Sequence, residues 1–186
     1  MSRQAGTFAR RLHEVDPFIQ ARRGDGTLLH DYLDGHRILG DPTALAMAAE
    51  AMALQIPAEA DHVGGEAVAG SGLALAVSLA ALDRGRSLPA RTLRQEPKQH
   101  GVVGILSTAV PPGSTFALVD DVAGTGAALE RSTLRLRALG HRVVGAWVMV
   151  DRRNGAGERL ARLGVPLSAL LTIDELRTVG SHLEKA

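Results

Sequence analysis

Two adjacent aspartates lie where a buried strand pattern gives way to a loop, and their position could serve ligand binding. Asp120 and Asp121 follow the apolar run 116–119, and the small residues of 122–128 separate them from a predicted helix. In parallel sheets ligands bind at the carboxyl ends of strands, and a glycine-containing loop before a helix lets backbone N–H groups approach an anion. The carboxylates are expected to bind hydroxyls, or a metal ion through water. An ordinary strand–turn–helix with aspartates at its turn would give the same pattern.

A second cluster brings three kinds of cationic side chain close together. Arg94, Lys98 and His100 fall in a polar stretch that Pro97 interrupts. Lys98 is also the only internal lysine, because Lys185 is the next to last residue. Cations on a closing loop would neutralise an anionic leaving group and exclude water from it. The alternative is a solvated surface loop.

A third feature is Arg152, which comes two residues after the apolar run 143–150. This run ends at the same predicted sheet edge as the aspartate pair. An arginine at that edge can bind a carboxylate or a phosphate through two parallel N–H groups. Apart from the aspartate pair, the sequence shows no cluster with the spacing of metal ligands, and the loop after Asp121 lacks the lysine of a Walker A motif.

Buried strand patterns alternate with helical patterns along the chain, which predicts an α/β domain. Helices are expected over 1–23, 41–56, 71–83, 127–139, 155–163 and 173–179. Strands are expected over 62–65, 88–94, 115–119, 143–150 and 166–171. Residues 27–40 are expected to be irregular or short strands, and 95–113 a long loop or lid that could fold as a hairpin. The alternation favours a parallel sheet with helices on both faces.

Composition excludes several classes of protein. With 186 residues and no visible repeat or linker, the chain is expected to form one domain. The absence of cysteine excludes a disulfide scaffold, a zinc ribbon and a thiol nucleophile. A net charge of +1, with only three Phe, one Tyr and one Trp, argues against a nucleic-acid binder. No apolar run approaches the roughly 20 residues of a membrane span, so a cytoplasmic domain is expected.

The combination of these features resembles the type I phosphoribosyltransferases. Their signature for phosphoribosyl diphosphate is a hydrophobic strand, two acids, a small-residue loop with Thr and Gly, and a helix. The string R-x-x-x-K-x-H-G at 94–101 resembles the mobile catalytic loop of orotate phosphoribosyltransferases. Residues 32–34, 63–65 and 150–152 fall where that family has similar strings. The resemblance covers roughly residues 25–180, in the same order.

The resemblance implies a reaction and an architecture. Such an enzyme transfers the phosphoribosyl group of 5-phospho-α-D-ribose 1-diphosphate to orotate, giving orotidine 5′-phosphate and diphosphate for pyrimidine (UMP) biosynthesis. Mg²⁺ on the diphosphate is the implied cofactor. The implied fold is a parallel-sheet, type I phosphoribosyltransferase-like domain with a small N-terminal hood at about 1–40 and a flexible lid at about 95–113. A homodimer that shares the lid across its interface is also implied.

The resemblance assigns roles to particular residues. Asp120 and Asp121 would hold the 2- and 3-hydroxyls of the ribose, and Arg152 would hold the carboxylate of orotate. The loop that would cradle the 5-phosphate consists of Val122, Ala123, Gly124, Thr125, Gly126, Ala127 and Ala128. The catalytic residues that would meet the diphosphate are Arg94, Lys98 and His100. No protein group would bind Mg²⁺ directly, because this ion is usually held by substrate phosphates and waters.

Three positions depart from the orotate phosphoribosyltransferase pattern. Gln95 stands where the lid usually has a second lysine, and Thr27 lies where a lysine or arginine usually follows a Ser-Gly pair. Gly124 takes the place of a threonine that contacts both orotate and phosphate. Two alternatives therefore stay open: an enzyme for a different base, and a non-catalytic regulator that binds phosphoribosyl diphosphate or a nucleotide. The retained Lys98 and His100 argue against the regulator, since pure binding needs no closing lid.

Overall fold

The helices and strands alternate along most of the chain. The computed structural model of the protein describes residues 3–22, 25–100 and 104–183. The helices are α1 (Arg3–Val15), α2 (Gly35–Gly40), α3 (Pro42–Gln55), α4 (Ala69–Asp83), α5 (Ala127–Ala138), α6 (Ala156–Ala161) and α7 (Ile173–Leu183). The strands are β1 (Phe18–Arg22), β2 (Leu28–Leu33), β3 (His62–Glu66), β4 (Ala90–Lys98), β5 (Gly104–Leu106), β6 (Thr115–Ala123), β7 (Arg142–Asp151) and β8 (Leu167–Thr172). In this part of the chain no helix is both long and apolar enough to cross a bilayer.

The main sheet has six strands in the order β5-β4-β3-β6-β7-β8. Neighbouring strands are parallel from β4 to β8, and only β5 is antiparallel to its neighbour. From β3 the chain moves outward to β4, and it then returns to place β6 on the other side of β3. The direction of strand addition therefore reverses between β3 and β6, and this is where doubly wound sheets bind their ligands.

Helices cover both faces of this sheet, as the sequence predicts, because its central strands are apolar on both sides. On β6, Ala117 and Val119 pack into the larger core with α3 and α4. Their alternating neighbours Phe116 and Leu118 pack into a second core with α5 and α6. Successive side chains of a strand point to opposite faces, so one buried strand contributes to both layers.

The expected helix over 1–23 is wrong in its second half. The helix α1 ends at Val15, and Phe18–Arg22 forms β1, which pairs antiparallel with β2. Asp16 has a φ of 49° and precedes Pro17, and the residue before a proline is disfavoured in helices. The three- and four-residue spacing of apolar side chains continues past this break, so periodicity alone does not reveal it.

The segment 27–40 contains the expected short strand, β2, and also a helix, α2, that was not expected. The Asp34 side chain begins α2 by accepting a hydrogen bond from the His36 N–H at 3.0 Å. Glycines at both ends of this six-residue helix hide it in the sequence, since glycine disfavours helices. Burial of Ile38 stabilises α2 against the core.

The segment 95–113 is partly a hairpin. The strand β4 continues to Lys98 and pairs with the antiparallel β5, with Lys98 opposite Gly104. Arg94 joins the two strands, because its Nη1 donates to the carbonyls of Gly104 (3.0 Å) and Leu106 (2.7 Å). Residues 101–103, in the middle of the expected lid, lie outside the described residues. The hairpin alternative is therefore confirmed for the strands on either side of them.

Candidate active site

A cleft of about 470 Å³ opens at the carboxyl ends of β3 and β6, where the strand order reverses. All residues of 120–128 line it, and so does Arg152. The predicted aspartate pair, the predicted loop and the predicted arginine thus meet in one place. Tyr32 and Asp34, from the N-terminal ribbon of β1 and β2 and the residue after it, close one side.

Asp120 and Asp121 lie side by side in the cleft but differ in their surroundings. Asp121 Oδ1 accepts a hydrogen bond from the Val122 N–H at 2.7 Å, and Asp120 Oδ1 accepts one from the Asp121 N–H at 3.1 Å. Burial, followed by the neighbouring charge of Asp121, raises the pKa of Asp120 to about 8. The position of Asp120 in the cleft therefore favours the protonated form of its carboxyl group.

The first residue of α2 packs directly against the aspartate pair. A methyl group on Gly35 would overlap the carboxylate of Asp121, so the absence of a side chain lets the backbone of α2 contact Asp121. Asp121 is thereby held between the Val122 N–H on its own strand and the helix above it. Because Asp121 is confined on both sides, its carboxylate has a defined direction into the cleft.

The loop 122–128 leaves the N-terminus of α5 open to an anion. The residue before this helix, Gly126, has a φ of 75°, and no side chain caps the first turn. A Cβ at Gly126 would lie 3.0 Å from the Cα of Ala156, so the turn also brings the loop close to α6. Uncapped N–H groups and the positive end of the helix dipole favour a phosphate at this point.

Arg152 lines the cleft together with Tyr32. Its guanidinium carbon lies 5.7 Å from the centre of the Tyr32 ring, a cation–π contact. The Arg152 N–H donates to the carbonyl of Ala123 at 2.8 Å, which ties the end of β7 to the end of β6. A planar guanidinium and a flat aromatic ring in the cleft suit a planar anionic ligand.

Sequence reasoning missed two charged residues of the cleft, Glu66 and Arg131. Glu66 ends β3 and is buried, and its Oε1 accepts a hydrogen bond from Arg131 Nη2 at 2.6 Å. The signal in the sequence was an acid at the end of a predicted strand. Arg131 carried a weaker signal, because it lies one helical turn after the loop residues Ala127 and Ala128.

The lid cations of the sequence analysis lie away from this cleft. The side chains that line it do not include Arg94, Lys98 or His100, and Lys98 and His100 are exposed. Gln95 does line it, and its Nε2 donates to the carbonyl of Ala67 at 3.1 Å. The Arg94 side chain instead binds the carbonyls of Gly104 and Leu106 on β5.

No ready-made metal cage exists among the described residues, since they contain no group of three or more His, Asp or Glu side chains that could hold an ion. The cleft nevertheless suits a cation that arrives with a ligand, because the carboxyl groups of Asp34, Asp120 and Asp121 line it. Mg²⁺ keeps several waters and binds substrate phosphates, so such carboxyl groups would contact it through water.

Comparisons with known proteins identify relatives that share this architecture. The chain matches no protein-family model. It is 34% identical over 148 residues to the orotate phosphoribosyltransferase of Aeropyrum pernix, covering 76% of this chain and 75% of that protein. It is 35% identical over 141 residues to the orotate phosphoribosyltransferase of Sorangium cellulosum, covering 75% and 70%.

Solved structures of orotate phosphoribosyltransferases are also similar to this chain. The crystal structure of the Aeropyrum pernix enzyme superimposes with a TM-score of 0.74 at 30% identity, covering 96% of this chain and 99% of that one. The orotate phosphoribosyltransferase of Mycobacterium tuberculosis has a TM-score of 0.80 at 22% identity, covering 93% and 98%, and so shares the fold. With this fold, and with the aspartate pair, the loop and Arg152 in one cleft, the chain belongs to the orotate phosphoribosyltransferase family.

Proposed function

We propose that the chain transfers the phosphoribosyl group of 5-phospho-α-D-ribose 1-diphosphate to orotate, releasing diphosphate. The observation that carries this proposal is one cleft lined by Asp120, Asp121, the loop 122–128 and Arg152. The similarity of 34–35% to orotate phosphoribosyltransferases over three quarters of the chain supports it. In the reaction a ring nitrogen of orotate loses its proton to solvent and forms a bond to C1 of the ribose, and the C1–O bond breaks with its electron pair going to the diphosphate.

The cleft offers partners for the 5-phosphate, the ribose and the base. The 5-phosphate binds at the open N-terminus of α5, and the ribose hydroxyls bind Asp120 and Asp121. Positive charge that develops on the ribose ring during bond breaking lies close to these carboxyl groups, which stabilises it. Arg152 binds the carboxylate of orotate, and its stacking partner Tyr32 offers a flat surface for the pyrimidine ring.

The charge of the cleft requires cations from elsewhere. Four carboxyl groups line it, from Asp34, Glu66, Asp120 and Asp121, so acidic groups outnumber the two guanidinium groups of Arg131 and Arg152 even when Asp120 is protonated. A substrate with three phosphoryl groups would meet net repulsion in such a cleft. We therefore propose that Mg²⁺ enters bound to the diphosphate, where it neutralises charge on the leaving group. The water-mediated contacts of Asp120 and Asp121 would hold it there.

The lid supplies the remaining cations, and we propose that it does so across a homodimer. Lys98 and His100 are exposed and do not line the cleft of their own chain, so a neighbouring subunit's cleft is their proposed site. Arg94 joins them only if it leaves the β5 carbonyls that it binds here. Lys98 and His100 would then stabilise the departing diphosphate.

An apolar ridge on α4 is the proposed contact surface of this dimer. Leu75, Leu79 and Leu82 are 59%, 64% and 61% exposed and follow each other at helical spacing. Val68, which is 76% exposed, precedes α4 and also lines the cleft. A second copy on this ridge would bury these side chains and bring its own lid near the cleft.

Orotate consumption tests the proposal directly. We expect the ultraviolet absorbance of orotate to fall only when phosphoribosyl diphosphate and Mg²⁺ are both present.

A second candidate is a phosphoribosyltransferase for another base, which Gly124 favours because it brings no hydroxyl to the loop. Uracil, adenine, guanine and hypoxanthine therefore belong in the same assay. Turnover with one of these bases but not with orotate would favour that candidate. Nucleotide binding without turnover of any base would contradict both enzymes.

A further inference from the structure

The contact between Glu66 and Arg131 is a charged feature of the cleft to which the reaction above gives no role. Glu66 is 8% exposed, and its carboxylate also accepts a hydrogen bond from the Ser132 hydroxyl at 3.0 Å. Ser132 is itself buried. The two hydrogen bonds hold this buried carboxylate in one orientation. Turning away from either donor would leave a buried oxygen without a hydrogen bond, which costs free energy.

Arg131, by contrast, is only partly enclosed. Its side chain is 42% exposed and lines the cleft. Among the described residues Glu66 is its only hydrogen-bond partner, and this bond uses one nitrogen of the guanidinium. An arginine carries five N–H donors in a planar fork, so most of its donors stay available for a ligand.

The position of Arg131 on α5 directs its side chain toward the phosphate loop. It lies three and four residues after Ala128 and Ala127, on the face of the helix that lines the cleft. Helical side chains tilt toward the N-terminus of their helix. Glu130, the preceding residue, points elsewhere and binds Arg159 of α6 at 2.5 Å.

We propose that Arg131 binds a phosphoryl oxygen of the substrate and that Glu66 is the positioning residue that holds it over the loop. The identity of the ligand, a phosphoryl group of the substrate, rests on the proposed function, whereas the positioning of Arg131 by Glu66 does not. The phosphoryl oxygen belongs either to the 5-phosphate or to the diphosphate, since both are oxyanions that an arginine fork can bind. The Glu66 carboxylate holds the guanidinium in place and partly offsets its charge.

This arrangement predicts that two changes at one position have opposite effects. Glu66→Gln keeps an acceptor for Arg131 and a polar group for Ser132 but removes the competing negative charge, so anions should bind more tightly. Glu66→Ala removes the same charge together with the support for Arg131, so anions should bind more weakly. A general electrostatic effect would shift binding in the same direction in both variants, as would a purely structural role.

Calorimetric titration with inorganic diphosphate and, separately, with ribose 5-phosphate tests the proposal and separates the two sources of the oxyanion. We expect Arg131→Gln to weaken one of these ligands by ~10- to 100-fold, the range for a charged hydrogen bond. Arg131→Lys keeps the charge but loses the fork and should lose less. Arg137→Gln, which removes the same charge from an exposed position of α5, is the matched control and should bind as the wild type does.

The proposal is overturned if Arg131→Gln binds both probes within ~2-fold of the wild type. It is also overturned if Glu66→Gln and Glu66→Ala shift binding in the same direction. If Glu66→Ala does not fold, the Arg131 variants and the tighter anion binding expected of Glu66→Gln still test the proposal. The proposed function is tested separately. If the wild-type chain turns over orotate and Arg131→Gln binds both probes as the wild type does, only the role of Arg131 is contradicted. A wild-type chain that turns over no base contradicts the function.

Discussion

At the scale of single residues, the environment of Asp120 changes the chemistry of its carboxyl group. Desolvation together with the charge of Asp121 raises the pKa of this group to about 8. A protonated Asp120 lowers the negative charge of the cleft. When a cation enters with the substrate, the ionised form becomes favourable and a proton should leave. Ligand binding at neutral pH should therefore release a proton.

The same shift predicts how stability depends on pH. The unfolded chain releases the Asp120 proton near pH 4 and the folded chain near pH 8, so the folded state binds more protons between these values. This contribution to stability is present below about pH 4 and is lost as the pH rises toward 8. Asp120→Asn has no carboxyl proton to lose, so its stability should not fall in this way. Its free energy of unfolding at pH 8 should exceed that of the wild type by at least ~1 kcal/mol.

Urea unfolding of both proteins at several pH values measures this difference. Asn keeps an acceptor for the Asp121 N–H, so the local hydrogen bond survives. The control is Asp83→Asn, at the exposed end of α4, which should follow the wild-type curve. Stability curves of the wild type and Asp120→Asn that run parallel from pH 4 to pH 8 would show that the folded protein holds Asp120 ionised.

At the scale of elements, α2 is short but positions the site. Its first residue, Gly35, contacts Asp121, and its last, Gly40, has open space around it. Gly35→Ala would force Asp121 or the helix to move, whereas Gly40→Ala adds a methyl group that meets nothing within 4 Å. We expect Gly35→Ala to lower kcat/KM by ~10- to 100-fold, as misplacing a substrate contact by about 1 Å does.

Steady-state kinetics and thermal unfolding of the two glycine variants separate position from stability. Gly40→Ala should keep the wild-type kcat/KM and Tm, because it changes the same helix by the same methyl group. Gly35→Ala should lose activity at a temperature where circular dichroism shows it folded. Equal activity of both variants would mean that Asp121 takes its direction without help from α2.

The elements also show what a sequence reveals and where it falls short. The strand β6 and the loop after it are predictable, because a continuous apolar run, two acids and small residues occur in one short stretch. The break at Asp16 has one local signal, Pro17, but the apolar spacing carries on through it and favours a continuous helix. Only the pairing of β1 with β2 shows that a strand follows. Glu66 and Arg131 are 65 residues apart, and this contact arises from strand order, which no local pattern contains.

At the scale of the whole molecule, the described fold separates the proposed catalytic groups. Asp120 and Asp121 lie in the cleft, while Lys98 lies on the β4–β5 hairpin outside it. A cleft whose lining carries more carboxyl groups than cations can process a polyanion once other charges reach it. The apolar ridge on α4 offers a way to supply them, because a second copy bound there can insert its hairpin. In the proposed dimer, catalysis would therefore depend on the association of two subunits.

Co-expression of two inactive variants tests this arrangement. Lys98→Ala should lose ~10²- to 10³-fold in turnover, the effect of removing one preorganised charge partner of a leaving group. Asp121→Asn should weaken the binding of phosphoribosyl diphosphate and of product nucleotide alike, because its hydroxyl contact is present before and during the reaction. In a dimer of one chain of each kind with a shared lid, one of the two clefts has both residues intact. Random pairing makes half of all dimers mixed, so the mixture should recover about a quarter of the wild-type activity.

Different affinity tags on the two chains allow the mixed dimer to be purified and its composition checked. Each variant expressed alone is the control and should stay inactive at the same concentration. The ridge variant Leu79→Glu, placed on both chains, should abolish the recovery by keeping the subunits apart, as analytical ultracentrifugation would show. A purified mixed dimer no more active than its parents would reject the shared site and mean that Lys98 works within its own chain or takes no part in the reaction. In either case Leu79→Glu in an otherwise wild-type chain would leave turnover intact.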